Sequence, residues 1–147
     1  LHLQNVGGEF GTTTGRPRRC GWLDMVVVRH AVRLNGVTSM AMTKLDVLGD
    51  LPSLKVCVAY DIDGQVVSEF PGSISRLSRA KPIYEELDGW AAASCRSADI
   101  VRKGYAALPK NMRKYLDFIT TNSGVPIGII SFGKGREETI DLRRRKW

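Results

Sequence analysis

The sequence has few of the residues that build disulfide frameworks or zinc sites. Its 147 residues include three cysteines and two histidines. The cysteines Cys20, Cys57 and Cys95 are widely spaced and form no Cys-x-x-Cys pair, so we expect reduced thiols and no metal site among them. No apolar run approaches the ~20 residues that cross a bilayer, and the N-terminal residues lack the basic and apolar regions of a signal peptide. These absences predict a cytoplasmic chain without a membrane span.

The composition is that of an ordinary globular domain with a positive net charge. Hydrophobic residues make up 43% and charged residues 25%, and 22 lysines and arginines against 15 acidic residues give +7. No repeat or linker divides the chain, so 1–147 is predicted to form one α/β unit. The excess charge favours an anionic partner. Nucleic acid is not expected, because the chain has no recognisable nucleic-acid motif and its aromatic residues are not interleaved with the basic ones.

The spacing of apolar residues predicts both helices and strands. Helices are predicted over 22–34, ended by Asn35 and Gly36, and over 109–122, ended by Gly124. Buried strands are predicted over 38–45 and 126–132, and a hairpin joins strands 54–60 and 65–70. The glycine- and threonine-rich residues 1–20 predict an irregular, mobile loop, and 71–102 predict only loops and short elements.

Three segments carry residues suited to binding an anion or a base. Residues 12–19 combine hydroxyls, a flexible glycine and planar cations, which can capture a carboxylate or a phosphate. The segment lacks the spacing of a Walker phosphate loop, and an ordinary solvated basic loop is an equally open interpretation.

The other two segments follow buried strands, where α/β folds place ligands. In Thr43-Lys44-Leu45-Asp46 the carboxylate of Asp46 can accept both N–H groups of the guanine edge while the lysine stem covers the base; the alternative is an aspartate that caps a helix. In residues 131–136 the hydroxyl of Ser131 and free backbone N–H groups can meet a base carbonyl or a phosphate. Taken alone, this segment is also explained as a glycine turn.

These segments, in this order and at these separations, resemble the C-terminal third of the adenylosuccinate synthetase family. The resemblance covers nearly the whole chain. It is carried by Gly8-Glu9-Phe10-Gly11, Thr13-Thr14-Gly15-Arg16-Pro17-Arg18-Arg19-Cys20-Gly21-Trp22, Thr43-Lys44-Leu45-Asp46-Val47-Leu48, Val56-Cys57-Val58-Ala59-Tyr60, Pro82-Ile83-Tyr84-Glu85, Gly89-Trp90 and Gly124-Val125-Pro126-Ile127.

The resemblance implies a mainly parallel-sheet, nucleotide-binding ligase of AMP biosynthesis. Such an enzyme joins inosine monophosphate (IMP) to L-aspartate at the expense of GTP, with Mg²⁺. The purine 6-oxygen is phosphorylated first, and the aspartate nitrogen then displaces the phosphate. The resemblance also implies a cytoplasmic homodimer.

Site residues are implied residue by residue. Residues 7–19 match the loop that closes on aspartate, with aspartate and IMP contacts at Thr12, Thr13, Thr14, Gly15, Arg16, Pro17 and Arg18. Arg18 also matches the arginine near the GTP phosphates. The guanine-binding residues are implied within 43–46 and 131–136, at Lys44, Leu45, Asp46, Ser131, Phe132 and Gly133.

The chain also departs from the family. Lys134 stands where many bacterial members have proline, and the basic residues 143–146 match no family feature. The family's N-terminal phosphate loop, catalytic aspartate and histidine, and magnesium ligands have no counterpart here. The resemblance therefore implies no catalytic or metal-binding residue in this chain and no activity of the chain alone. A stand-alone guanine-nucleotide-binding module is the alternative.

Overall fold

The computed structural model of the chain describes residues 2–92 and 98–144. The helices are α1 (His2–Gly7), α2 (Met25–Asn35), α3 (Ile74–Leu77), α4 (Ala98–Lys103) and α5 (Lys110–Ser123). The strands are β1 (Leu23–Asp24), β2 (Met40–Met42), β3 (Ser53–Ile62), β4 (Gln65–Val67), β5 (Lys81–Asp88), β6 (Ile127–Ser131) and β7 (Thr139–Asp141). Short 3-10 turns lie at Tyr105–Ala107, Arg136–Glu138 and Leu142–Arg144. In these described parts, no helix has the length and apolar character that crossing a membrane requires.

The strands form two mixed sheets. In the first, β3 pairs in parallel with β1 and antiparallel with β4 and β5. In the second, β6 pairs in parallel with β2 and antiparallel with β7. The predicted α/β class is confirmed, with antiparallel pairs beside the parallel ones. The predicted hairpin is confirmed as well, because β3 and β4 are joined by a turn at Asp63 and Gly64.

The helix predicted over 22–34 is present as α2 and ends at the predicted stop, but its predicted start is wrong by three residues, since Leu23 and Asp24 form β1. The carboxylate of Asp24 accepts hydrogen bonds from the backbone N–H groups of Val26 at 2.9 Å and Val27 at 3.2 Å, which satisfies two of the unpaired donors of the first turn. Gly36 ends the helix in the left-handed conformation, with φ at 58°. A residue without a Cβ adopts that conformation at no steric cost.

Helix α5 supplies the largest part of the core. The face predicted to be apolar is buried at Met112, Tyr115, Leu116 and Ile119, and Gly124 ends the helix at φ 71°. These side chains pack with buried residues from both sheets, which makes one continuous core: Met25, Leu45, Leu54, Val56, Trp90, Ile100, Leu108, Ile127, Ile130, Phe132 and Ile140.

The irregular loop predicted for the first residues is wrong at its start, where α1 forms. Tertiary contacts hold this short helix. The His2 ring nitrogen Nε2 lies 3.1 Å from the carbonyl oxygen of Val47, and the Lys44 ammonium donates to the carbonyl oxygen of Gly7 at 2.8 Å. A six-residue helix is marginal by itself, so its local sequence gives no signal.

The prediction of only loops and short elements over 71–102 is wrong for β5, an eight-residue strand. Most of its side chains are exposed, and Ile83 and Leu87 are half-buried. The strand therefore shows no clear alternation of apolar and polar residues, and Pro82 argues further against a strand. Pairing with β3 along nearly its whole length forms it nonetheless.

The thiols and the basic end also have defined places. Cys20 is an exposed free thiol and Cys57 a buried one, and burial raises the pKa of Cys57. Arg143 pairs with Asp141 at 3.0 Å. Cys95 and residues 145–147 lie outside the described residues.

Candidate functional site

The two predicted guanine-binding segments leave the second sheet at the same edge. Strands β2 and β6 run parallel, with Met42 opposite Ile130. The residues that follow, 43–46 and 131–133, therefore begin side by side at the carboxyl ends of neighbouring parallel strands. In α/β folds, that position holds ligands.

Asp46 lies in this edge and caps no helix. Residues 45–50 form turns, with the backbone N–H of Gly49 donating to the carbonyl oxygen of Asp46 at 3.1 Å. The side-chain oxygen Oδ1 of Asp46 is buried and has no hydrogen-bond partner among the described residues. A buried polar atom without a partner is rare and costly. This oxygen is thus available for a donor that the described residues do not supply.

Leu45 and Lys44 have different roles in the same turn. The Leu45 side chain is fully buried in the core, and the indole N–H of Trp90 donates to the Leu45 carbonyl oxygen at 3.2 Å. Leu45 therefore anchors the segment. Lys44 adopts a left-handed backbone with φ at 60°, and its ammonium donates to the carbonyl oxygen of Gly7 and to the carboxylate of Glu9.

The turn after β6 is shaped by Glu138. The backbone N–H of Gly135 donates to Glu138 Oε2 at 2.8 Å, and that of buried Phe132 donates to the Glu138 carbonyl oxygen at 3.0 Å. A Cβ at Gly133 would lie 2.2 Å from the same carboxylate, so a side chain there would displace Glu138 from this position. The Ser131 hydroxyl donates to the carbonyl oxygen of Gly133 at 2.9 Å, which leaves its oxygen able to accept a hydrogen bond.

The loop predicted to bind aspartate is a hairpin-like turn with an ordered base. The N–H of Gly11 donates to the carbonyl oxygen of Arg16, and the N–H of Gly15 to that of Gly11, each at 2.8 Å. Phe10 and Pro17 form an isolated bridge below them. Residues 12–18 are exposed, and the Arg16 N–H donates to the Thr14 hydroxyl oxygen at 3.4 Å within the turn. The loop therefore leaves the side chains of Thr12, Thr13 and Arg16 exposed to solvent.

Glu9 is the site residue that the sequence interpretation missed. One of its carboxylate oxygens accepts from the Lys44 ammonium, and the other accepts from the Arg18 guanidinium at 3.2 Å. The hydrogen bond from Lys44, with a smaller effect of Arg18, lowers the pKa of Glu9. One sequence signal could have indicated this role: the Gly8-Glu9-Phe10-Gly11 motif contains a single carboxylate and lies shortly before the arginines of residues 16–19.

A cavity of about 300 Å³ lies between the base of the loop and the first predicted guanine-binding segment. It is lined by Leu3, Glu9, Arg19, Cys20, Gly21, Thr43, Lys44, Val47 and Leu48. Thus the structure brings the base of the loop and residues 43–44 together around one space. Arg16 and the other residues of the exposed loop tip do not line this cavity.

Within residues 2–92 and 98–144, no group of three or more histidine, cysteine, aspartate or glutamate side chains is placed to hold a metal ion. A metal site built wholly from three such side chains is therefore absent from this part of the chain.

Comparison with known proteins decides the family. The sequence profile described as adenylosuccinate synthetase matches residues 1–140. The chain belongs to this family. The adenylosuccinate synthetase of Thermosynechococcus vestitus is 52% identical over 94% of the chain and 30% of its own length. That of Myxococcus xanthus is 50% identical over 96% of the chain and 31% of its own length.

The fold agrees with a solved structure of the same family. Fully ligated adenylosuccinate synthetase from Plasmodium falciparum superposes with a TM-score of 0.85 at 32% identity, over 95% of this chain and 33% of that one. The chain thus spans about a third of the length of the relatives it matches. These shares do not support the C-terminal third in particular, so that placement stays a prediction based on the motifs.

Proposed function

We propose that this chain supplies the guanine-binding and aspartate-binding segments of an adenylosuccinate synthetase. That enzyme ligates IMP and L-aspartate at the expense of GTP and thereby serves AMP biosynthesis. The observation that carries the proposal is the buried, unpartnered Oδ1 of Asp46 at the edge where β2 and β6 end. Membership of the family supports the reaction.

The carboxylate of Asp46 suits guanine because an ionised carboxylate only accepts hydrogen bonds. Guanine offers two donors on one edge, the N1–H and the exocyclic amino group. Adenine presents an acceptor at N1 and would leave the carboxylate unpaired, at a cost of about 1–3 kcal/mol. The exposed stem of Lys44 and the hydroxyl of Ser131 lie near the ends of β2 and β6, at the same edge of the sheet as Asp46. We assign them to the remaining contacts with the base.

The loop above the cavity suits the second substrate. Arg16 carries a planar guanidinium that can hold both oxygens of a carboxylate, and the neighbouring threonines 12–14 add hydroxyl donors. We assign Arg16 to the carboxylate of aspartate. Arg18, at the base of the loop and joined to Lys44 through Glu9, is assigned to the GTP phosphates.

We further propose that the chain alone is inactive. Phosphoryl transfer depends on positioning and charge stabilisation by a phosphate-binding loop, Mg²⁺ and a base, and the motifs that supply them in this family have no counterpart in this sequence. Mg²⁺ ligands, the catalytic pair and most IMP contacts then lie on other parts of a longer, homodimeric, cytoplasmic enzyme.

The test of base recognition uses a hybrid enzyme, in which this chain replaces the matching segment of the Myxococcus xanthus relative. In this hybrid, Asp46→Asn should lose use of GTP and gain use of xanthosine triphosphate (XTP), because the new amide can donate to the 2-carbonyl of xanthine. We expect the ratio of kcat/KM for XTP over GTP to rise at least tenfold, which corresponds to about 1.4 kcal/mol.

Asp63→Asn is the matched control. Asp63 lies in the β3–β4 turn and pairs with Arg79 at 3.1 Å, so its substitution should leave the XTP/GTP ratio unchanged. A ratio that does not rise in Asp46→Asn, or a folded hybrid without turnover, contradicts the proposed function.

A second measurement concerns the isolated 147-residue chain. With GTP, IMP, aspartate and Mg²⁺ it should form no adenylosuccinate, and turnover above background contradicts the proposed inactivity. Titration with GTP then separates the alternatives: tight guanine-specific binding by the isolated chain favours a stand-alone binding module over a segment of the ligase.

A further inference from the structure

We infer that Glu9 is a positioning residue that couples guanine recognition at the end of β2 to phosphate binding at Arg18. This inference rests on the proposed function, which assigns ligands to Lys44, Asp46 and Arg18 but gives no role to Glu9.

The geometry places one carboxylate between two cations from separate segments. Glu9 Oε1 binds the Lys44 ammonium and Oε2 binds the Arg18 guanidinium at 3.2 Å. The carboxylate is largely covered, with 22% of the side chain exposed, whereas Arg18 and Lys44 are 56% and 48% exposed. The two cations would repel each other at this separation without the carboxylate. Glu9 therefore fixes where both charged groups lie relative to each other.

The backbone around Glu9 makes this bridge rigid. The N–H of Arg18 donates to the Glu9 carbonyl oxygen at 2.8 Å, and the side-chain amide of Gln4 donates to the Arg18 carbonyl oxygen at 2.7 Å. Lys44 is fixed as well, because its ammonium also binds the carbonyl oxygen of Gly7 at 2.8 Å. Thus the end of α1 holds both the base of the loop and the turn that carries Asp46.

The bridge leaves both cations able to bind a ligand. A guanidinium has five N–H donors and an ammonium has three. Glu9 receives its Arg18 contact through Nη1, so the remaining edge of the guanidinium can face a phosphate while Glu9 orients it. A nucleotide that contacts Lys44 through its base and Arg18 through its phosphates then binds two cations whose positions are both fixed by the carboxylate of Glu9.

The test is a double-mutant cycle on the dissociation constant for GTP in the hybrid enzyme. Arg18→Leu and Lys44→Met are made singly and together, with Glu9 intact and in Glu9→Gln. Glutamine is uncharged and has an NH₂ donor in place of one carboxylate oxygen, so it cannot accept from Lys44 on one atom and from Arg18 on the other as Glu9 does. With Glu9 intact, we expect the combined effect to differ from the product of the single effects by at least threefold. In Glu9→Gln the two effects should multiply.

Glu69→Gln is the matched control, because Glu69 forms an exposed ion pair with Arg33 at 2.7 Å and is 68% exposed. It should leave the coupling intact. The inference is overturned if the effects of Arg18→Leu and Lys44→Met on the dissociation constant for GTP simply multiply when Glu9 is present. It is also overturned if the coupling between them persists in Glu9→Gln. If Asp46→Asn still shifts use from GTP to XTP, the proposed function stands when this inference fails.

A second measurement leaves Glu9 in place, in case its substitution prevents folding. Carbon-13 NMR of the Glu9 carboxyl group in the hybrid follows its titration directly. Lys44→Met should raise the pKa of Glu9 toward its ordinary value, since the Lys44 hydrogen bond is the largest cause of its lowering. An unmoved titration shows that no bridge exists and overturns the inference.

Discussion

The indole N–H of Trp90 donates to the carbonyl oxygen of Leu45 at 3.2 Å. Leu45 directly precedes Asp46, so this bond ties the turn that we propose to bind guanine to a buried tryptophan. The indole is 6% exposed and packs against the ring of Tyr115 with centroids 5.5 Å apart. The backbone of the turn is thereby joined to α5 and to the centre of the core.

Trp90 should therefore report nucleotide binding by its fluorescence. Addition of GTP to the hybrid enzyme should change the emission, since a ligand at Asp46 acts on the carbonyl that Trp90 binds. Trp90→Phe should remove most of that change, and Trp22→Phe should retain it. An emission change of the same size in Trp90→Phe would show that the nucleotide does not bind at this turn.

Arg16 is expected to act on aspartate rather than on the nucleotide. Arg16→Leu in the hybrid removes the planar fork that can hold two carboxylate oxygens. The KM for aspartate should rise at least tenfold, and the KM for GTP should change less than threefold. Arg79→Leu, which removes an exposed arginine paired with Asp63, should alter neither. Unchanged aspartate kinetics in Arg16→Leu would remove Arg16 from the site.

Gly89 is required by close approach of two backbone segments. Its N–H donates to the carbonyl oxygen of Pro52 at 3.0 Å, and a Cβ would lie 1.8 Å from the carbonyl oxygen of Leu51. Gly89→Ala should lower the free energy of unfolding by about 1–3 kcal/mol or more, because the segments must move apart. Gly72→Ala, where a Cβ meets no atom within 4 Å, is the matched control. Urea denaturation measures both, and equal stabilities would refute the backbone clash.

The hydrogen bond from Tyr60 to Asp24 should stabilise the start of α2. The Tyr60 hydroxyl donates to Asp24 Oδ2 at 2.5 Å, while Oδ1 caps the helix. Tyr60→Phe leaves a partly buried carboxylate oxygen unpaired and should cost about 1–3 kcal/mol of unfolding free energy. Tyr84→Phe, at an exposed ring, should cost little.

This contribution also has a defined pH dependence. Burial, together with the bond to Asp24, raises the pKa of Tyr60 above its ordinary value of 10.0. The advantage of the wild type over Tyr60→Phe should be complete below pH 10 and should fall as the pH rises through the raised pKa. Denaturation at a series of alkaline pH values checks this, and a constant difference would contradict it.

Local sequence patterns predicted the helices, strands and turns that are specified by residues close together in the chain. The apolar face and the glycine stop of α5, the hairpin around Asp63 and Gly64, and the strand before Ser131 all follow from spacing and turn residues. Helix α1 and strand β5 were missed because distant residues form them: Val47 and Lys44 hold α1, and β3 pairs with β5.

The same distinction applies to the candidate site. The strand-end segments were predicted because Lys44, Asp46 and Ser131 follow apolar runs. The Glu9 bridge was missed, since it depends on α1 bringing a carboxylate to two cations that lie far apart in the sequence. Leu45 was assigned to the ligand by resemblance, whereas its side chain lies in the core.

The parallel pairing of β2 with β6 has a consequence for the order of folding. Met42 and Ile130 meet although most of the chain lies between them, and closing so long a loop is slow compared with forming a helix or hairpin. When only the residues up to β5 have left the ribosome during synthesis, the emerged chain contains β2 and Asp46. It does not yet contain β6, the strand that pairs with β2. The proposed base pocket is therefore expected to be one of the last parts of this chain to form, after α5 and β6 have left the ribosome.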